Sequence, residues 1–114
     1  MPTRYYLRLQ DPATARGPNH ALAFRAHGAD AFADELQQAL RSDALFERWR
    51  ALQDDPDDVD PALGATDPAA TVTGAQDDLH IDLVVVTALP SAVLRQRLQL
   101  LAGSGWQLRD VTAA

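Results

Sequence analysis

Residues 79–111 read LHIDLVVVTALPSAVLRQRLQLLAGSGWQLRDV, and this stretch decides the fold. Leu79, Ile81, Leu83 and Val85 alternate with His80, Asp82, Val84 and Val86, the period-two pattern of a strand with one buried face. Pro90 then opens a helical run in which Leu94, Leu98 and Leu101 recur at i, i+4 and i+7, flanked by Val93 and Leu100. Gly103 and Gly105 stop that helix, and Trp106 to Val111 alternates again. Strand, helix, strand is a crossover unit, which predicts a parallel strand pair joined in the right-handed sense.

Upstream, Tyr5, Leu7 and Leu9 alternate with Tyr6, Arg8 and Gln10, so Thr3 to Gln10 reads as a strand. Asp11-Pro12 ends it, and Gly17-Pro18-Asn19 carries turn chemistry. Ala21 to Ala26 reads as a second strand with Leu22, Phe24 and Ala26 on one face. Asp30 suits a helix N-cap, and Phe32, Leu36 and Leu40 form an apolar stripe to about Arg41. Past Ser42-Asp43 a further stripe follows, Leu45, Trp49 and Leu52, with Glu47 spaced to pair with Arg50. Residues 30–53 are thus one kinked helix or two short ones. The prolines and like charges of Asp54 to Pro68 predict a loop. A short strand at Ala70 to Thr73 leads through a loose hairpin into Leu79.

From Ala21 onward the order is strand, helix, strand, strand, helix, strand. In a single α+β domain, 1–114, that order predicts a ferredoxin-like split β-α-β sandwich. Its mostly antiparallel sheet has four or five strands, with helices on one face. The strand at Thr3 to Gln10 is then an extra one at an edge; alternatively it forms an N-terminal hairpin with Ala21 to Ala26.

The charge is −6, every basic residue is arginine, and Glu35 and Glu47 are the two glutamates. Nucleic-acid affinity is built from clustered cations, so this balance argues against a nucleic-acid partner. No apolar run approaches the roughly 20 residues of a membrane span, and residues 1–10 lack the pattern of a signal peptide. A cytoplasmic location is the default expectation. The chain has no cysteine, which removes disulfides, thiol catalysis and cysteine-based zinc sites.

Motifs for chemistry are absent. Asp55 and Asp57 have the first spacing of a calcium loop, but Val59 breaks it and neither the glycine nor the closing glutamate follows. His20 and His27 fall at opposite ends of an expected strand, no nucleophile elbow occurs, and Gly103-Ser104-Gly105 follows a helix instead of preceding one. No catalytic residue, metal site or cofactor is expected. The order strand, Leu89-Pro90-Ser91, helix, Gly105-Trp106-Gln107-Leu108 resembles the first half of an ACT-type ligand-binding domain over the last third of the chain. The second half of that pattern is missing, and Pro90 stands where such domains carry a glycine, so no binding residue is carried over.

The remaining constellation is the sheet face turned away from the helices. Alternation places His80, Asp82, Val84 and Val86 there, joined by Arg25, Gln107 and Arg109, and by Tyr6 and Arg8 if the first strand enters the sheet. Such a face is too apolar for plain solvent exposure and too polar for core. It predicts a small acidic protein-binding or regulatory domain, docking a protein partner or a second copy. The alternative is a small-molecule-binding or weakly catalytic domain using His80, Asp82 and the arginines. A third class, a regulatory partner or toxin-neutralising protein, would use the acidic run Asp54 to Asp60 as electrostatic bait.

Overall fold

The computed structural model describes residues 2–114 as an α+β domain with one open four-stranded sheet and three helices. The strands are β1 (Thr3–Leu9), β2 (Thr71–Asp77), β3 (His80–Thr87) and β4 (Gln107–Ala113); the helices are α1 (Ala29–Arg41), α2 (Ala44–Ala51) and α3 (Ser91–Ala102). The sheet order is β2-β3-β1-β4 with every neighbour antiparallel. β3 and β4 therefore run in the same direction, as the crossover through α3 requires, but β1 lies between them.

β1 is thus a central strand, not an extra edge. Tyr5, Leu7 and Leu9 bury against the helices while Arg4, Tyr6 and Arg8 on the opposite face are half-buried. β3 repeats the pattern, with Ile81, Leu83 and Val85 fully buried. Leu79 does not join them. It is 81% exposed in a tight two-residue turn with Asp78, whose φ of 56° turns the chain from β2 into β3.

Residues 21–26 form no strand, although Leu22, Phe24 and Ala26 are buried as their alternation implies. Their backbone donors find partners outside any sheet. Phe24 N–H donates to the Leu101 carbonyl at the end of α3, and the N–H groups of Arg25 and Ala26 donate to the Glu35 carboxylate on α1. The segment is a strap laid over the helices, pinned where Phe24 meets Phe32 edge to face at 4.9 Å. Gly17, at the head of this strap, donates its N–H to Leu101 and passes so close to α3 that a Cβ there would stand 2.0 Å from the Leu100 carbonyl oxygen.

Two helices, not one, fill residues 29–51, because Ser42 is extended (φ −134°, ψ 166°). α1 starts at Ala29 rather than after an Asp30 cap, but Asp30 still lies in its first turn, where a negative charge suits the helix dipole. Phe32, Leu36 and Leu40 are buried as their spacing predicts, and so is Leu45 of α2. Leu52 lies beyond the end of α2 and is 57% exposed. The acidic segment is a loop with two short 3-10 turns, Pro56–Asp58 and Pro61–Gly64. Beneath it the fully buried guanidinium of Arg97 donates to the carbonyls of Leu63 (2.7 Å) and Ala65 (3.0 Å) and stacks over the Phe46 ring.

Candidate functional site

The helices cover one face of the sheet. On the other face, side chains line up in registered rows: Arg4 beside Val86, Tyr6 beside Val84, and Arg8 beside Asp82. β2 extends these rows with Thr71, Thr73 and Ala75, and sets Asp77 opposite His80 at the hairpin end. β4 adds Thr112 beside Arg4, Asp110 beside Tyr6 and Gln107 beside Arg8. Tyr6, Val84 and Val86 form the apolar middle of this face, each half-buried by its neighbours.

A bulge in β4 decides what its end contributes. The β1–β4 register shifts between Tyr6 and Leu7, so Arg109 is the extra residue between Leu108 and Asp110. Arg109 and Asp110 consequently both flank the open face, where they border a shallow depression with Tyr6, Arg8, Asp82 and Val84. Val111 returns to the side of Tyr5.

The polar groups on this face are arranged around Asp82. Arg8 Nε donates to Asp82 Oδ1 at 2.8 Å, while the second guanidinium contact, to Oδ2, is 3.5 Å. That hydrogen bond, aided by the charges of Arg8, His80 and Arg109, holds the Asp82 carboxyl below the usual carboxylate range. His80 Nε2 lies 3.4 Å from Asp77 Oδ2 and 3.8 Å from Asp82 Oδ2. The three side chains Asp77, His80 and Asp82 each present a donor atom within 4.8 Å of the others. No such convergence was expected from the sequence, because Asp77 reaches His80 only through the tight hairpin.

Of the residues assigned to this face from sequence, the structure brings together Tyr6, Arg8, His80, Asp82, Val84, Val86, Gln107 and Arg109. Arg25 is the exception. It is an exposed residue of the strap on the helix layer, because the strand that would have carried it to the sheet does not form. Alternation along β1 implied Arg4 as well, and it went unassigned; Asp110 and Asp77 depend on the bulge and on the hairpin register. For Asp110 the sequence did hold a signal. The apolar residues Leu108 and Val111 are three apart, a slip in a period-two pattern that an inserted residue explains.

Arg25 instead borders a groove of ≈370 Å³ between the strap, α1 and the start of α2, with Asp34, Glu35, Gln38 and Arg48 along its walls. The Glu35 carboxylate there is already engaged by two backbone N–H groups, and Arg48 reaches the Ala21 carbonyl at 3.5 Å. These groups fasten the strap to the helices, which makes the groove a structural seam. His20 and His27 are exposed at the two ends of the strap. Among the described residues, no helix is long and apolar enough to cross a membrane.

Comparison of the chain with protein-family models, with curated proteins and with solved structures finds no match.

Proposed function

We propose that this chain is a protein-binding module and that the occupant of its open sheet face is a second copy of itself. The observation that carries the proposal is the uncovered face: an apolar middle of Tyr6, Val84 and Val86, edged by charged residues and crossed by no other element among the described residues. An apolar centre inside a polar rim is the anatomy of a docking surface. The ferredoxin-like reading is part of the proposal. Its support is two split β-α-β units, β1-α1-β2 and β3-α3-β4, interleaved in the order β4-β1-β3-β2.

Charge favours a second copy over an unrelated partner. The β1–β4 half of the face carries Arg4, Arg8 and Arg109 against Asp110, while the β3–β2 half carries Asp77 and Asp82. A two-fold axis running along the strands between β1 and β3 lays each positive half over the partner's negative half, with strands aligned as in face-to-face sheet packing. The face as a whole is neutral, so the chain's −6 charge lies on its remaining surface. The net charge of the remaining surface therefore sets two copies against contact elsewhere, while this face carries no such penalty. A cytoplasmic location, the default for this composition, belongs to the same reading.

The test is sedimentation over a concentration series, with Val84→Arg as the variant. The native chain is expected to be dimeric and the variant monomeric, with unchanged far-UV circular dichroism. A native chain that stays monomeric to several hundred micromolar would sink self-association, and a stoichiometric heterologous partner lost in Val84→Arg would replace the second copy as the occupant.

A further inference from the structure

The corner of the open face nearest the β2–β3 turn carries, besides the negative charge that docking uses, a convergence of ligand atoms. Asp77 and His80 are cross-strand partners, and Asp82 follows His80 by two residues on the same face. The pattern is fixed by the sheet and not by loop flexibility: β3 alternation aligns His80 with Asp82, and the two-residue turn at Asp78-Leu79 admits only Asp77 opposite His80.

The spacing is that of a chelate. Bonds of about 2.0–2.1 Å in a tetrahedral site place ligand atoms about 3.4 Å apart. His80 Nε2 is 3.4 Å from Asp77 Oδ2 and 3.8 Å from Asp82 Oδ2, and all three donors fall within 4.8 Å. Asp77 is 65% exposed and so has freedom to close the last edge.

A second observation points the same way. His80 Nε2 is shut off from solvent and has no hydrogen-bond partner, an arrangement that costs free energy unless something occupies the space before it. In the neutral ring that nitrogen can present a lone pair, and it faces two carboxylates that offer lone pairs in turn. A cation at the point where the three converge satisfies all of them. Arg8 completes the arrangement: its Nε holds Asp82 Oδ1 at 2.8 Å, while its other N–H reaches Oδ2 only at 3.5 Å, so Oδ2, 3.8 Å from His80 Nε2, keeps a lone pair for a cation, the outer-shell support that ligating carboxylates typically have.

We propose that Asp77, His80 and Asp82 form a binding site for a divalent transition metal, with one nitrogen and two oxygen ligands and a further coordination position available to water or another donor. The mixed set suits zinc-class ions; magnesium and calcium take all-oxygen shells of six or more. All three ligands come from one chain, so the inference stands whether or not the face docks a second copy.

The experiment is calorimetric titration of ZnCl2 into the chelator-stripped full chain, alongside His80→Ala, Asp77→Asn and the double variant Asp57→Asn/Asp58→Asn in the acidic loop. One zinc ion per chain is expected. Affinity should fall at least tenfold in His80→Ala and Asp77→Asn, and remain unchanged in the loop variant. Long-range imidazole ¹H–¹⁵N spectra of the unmodified chain supply a readout that needs no variant to fold: zinc must move the Nε2 resonance of His80 and leave those of His20 and His27 in place. Absence of zinc binding, binding that survives His80→Ala, loss of binding in the loop variant, or a shift confined to His20 or His27 would each overturn the proposal. Measuring oligomeric state with and without zinc keeps this result separate from that of the docking test.

Discussion

The carboxylate of Asp67 accepts a hydrogen bond from the hydroxyl of Thr87 at 2.8 Å, tying the loop after the acidic segment to the end of β3. The same carboxylate accepts from the N–H of Ala88 at 2.9 Å and of Ala69 at 3.1 Å, while the Asp67 N–H reaches the Leu40 carbonyl on α1. Through its backbone N–H and its carboxylate together, this one residue joins a helix end, a strand end and a loop. The Ala88 N–H and then the Thr87 hydroxyl hold its carboxyl below the usual carboxylate range.

A folded-state pKa that is depressed adds stability above the unfolded value and loses it as pH falls through the folded one. Asp67→Asn is therefore expected to unfold at lower urea concentration at pH 7, by about 1–2 kcal/mol for the lost charge-assisted bonds. The gap between variant and native chain should narrow as the pH drops below the ordinary range of aspartate. Urea melts at pH 7 and pH 3.5 check this, and a gap that does not change with pH counts against Asp67 as the titrating group.

Arg97 supports the acidic loop from below. Its burial pushes the guanidinium pKa under the ordinary arginine value, and its partners are backbone carbonyls rather than a carboxylate. Arg97→Met keeps the stem but leaves the carbonyls of Leu63 and Ala65 without their donor. The expected cost is about 1–3 kcal/mol, moderated because an uncompensated buried charge is also removed. Amide exchange localises the effect: protection should fall in residues 56–66 before it falls in β3. Uniform loss of protection across the chain would show that Arg97 serves the core and not the loop.

Gly17 makes the tightest backbone approach described. An alanine methyl would lie 2.0 Å from the Leu100 carbonyl oxygen, so Gly17→Ala must push the strap off α3 and strain the Gly17 and Phe24 hydrogen bonds to Leu101. The expected loss is about 2 kcal/mol or more in thermal or urea unfolding. A neutral substitution would mean that the strap gives way freely and does not clamp the helix end.

The alternation of β3 and the stripe of α3 were legible because their period reflects burial against a single layer. What alternation does not encode is which strands are neighbours, and so Thr3–Leu9 reads equally well as an edge or a centre. The strap misleads for a different reason. Leu22, Phe24 and Ala26 alternate and are buried, yet their backbone bonds go to Glu35 and Leu101, which no local pattern announces. Arg25 was misplaced with it. His80, Asp82, Val84 and Val86 followed directly from the strand they sit on, whereas Asp77 required the length of a turn and Asp110 required a bulge.

The position of β1 has a consequence for how the chain is made. This strand is synthesised before both of its sheet partners; β4 follows by about 100 residues, which at 5–20 residues per second is roughly 5–20 s of elongation. Until β3 is made, β1 exposes two unsatisfied hydrogen-bonding edges and the apolar row Tyr5, Leu7 and Leu9, and one edge stays open until β4 follows. The sheet is thus complete only when β4 is made, and the strand at its middle is the one most in need of protection while translation continues.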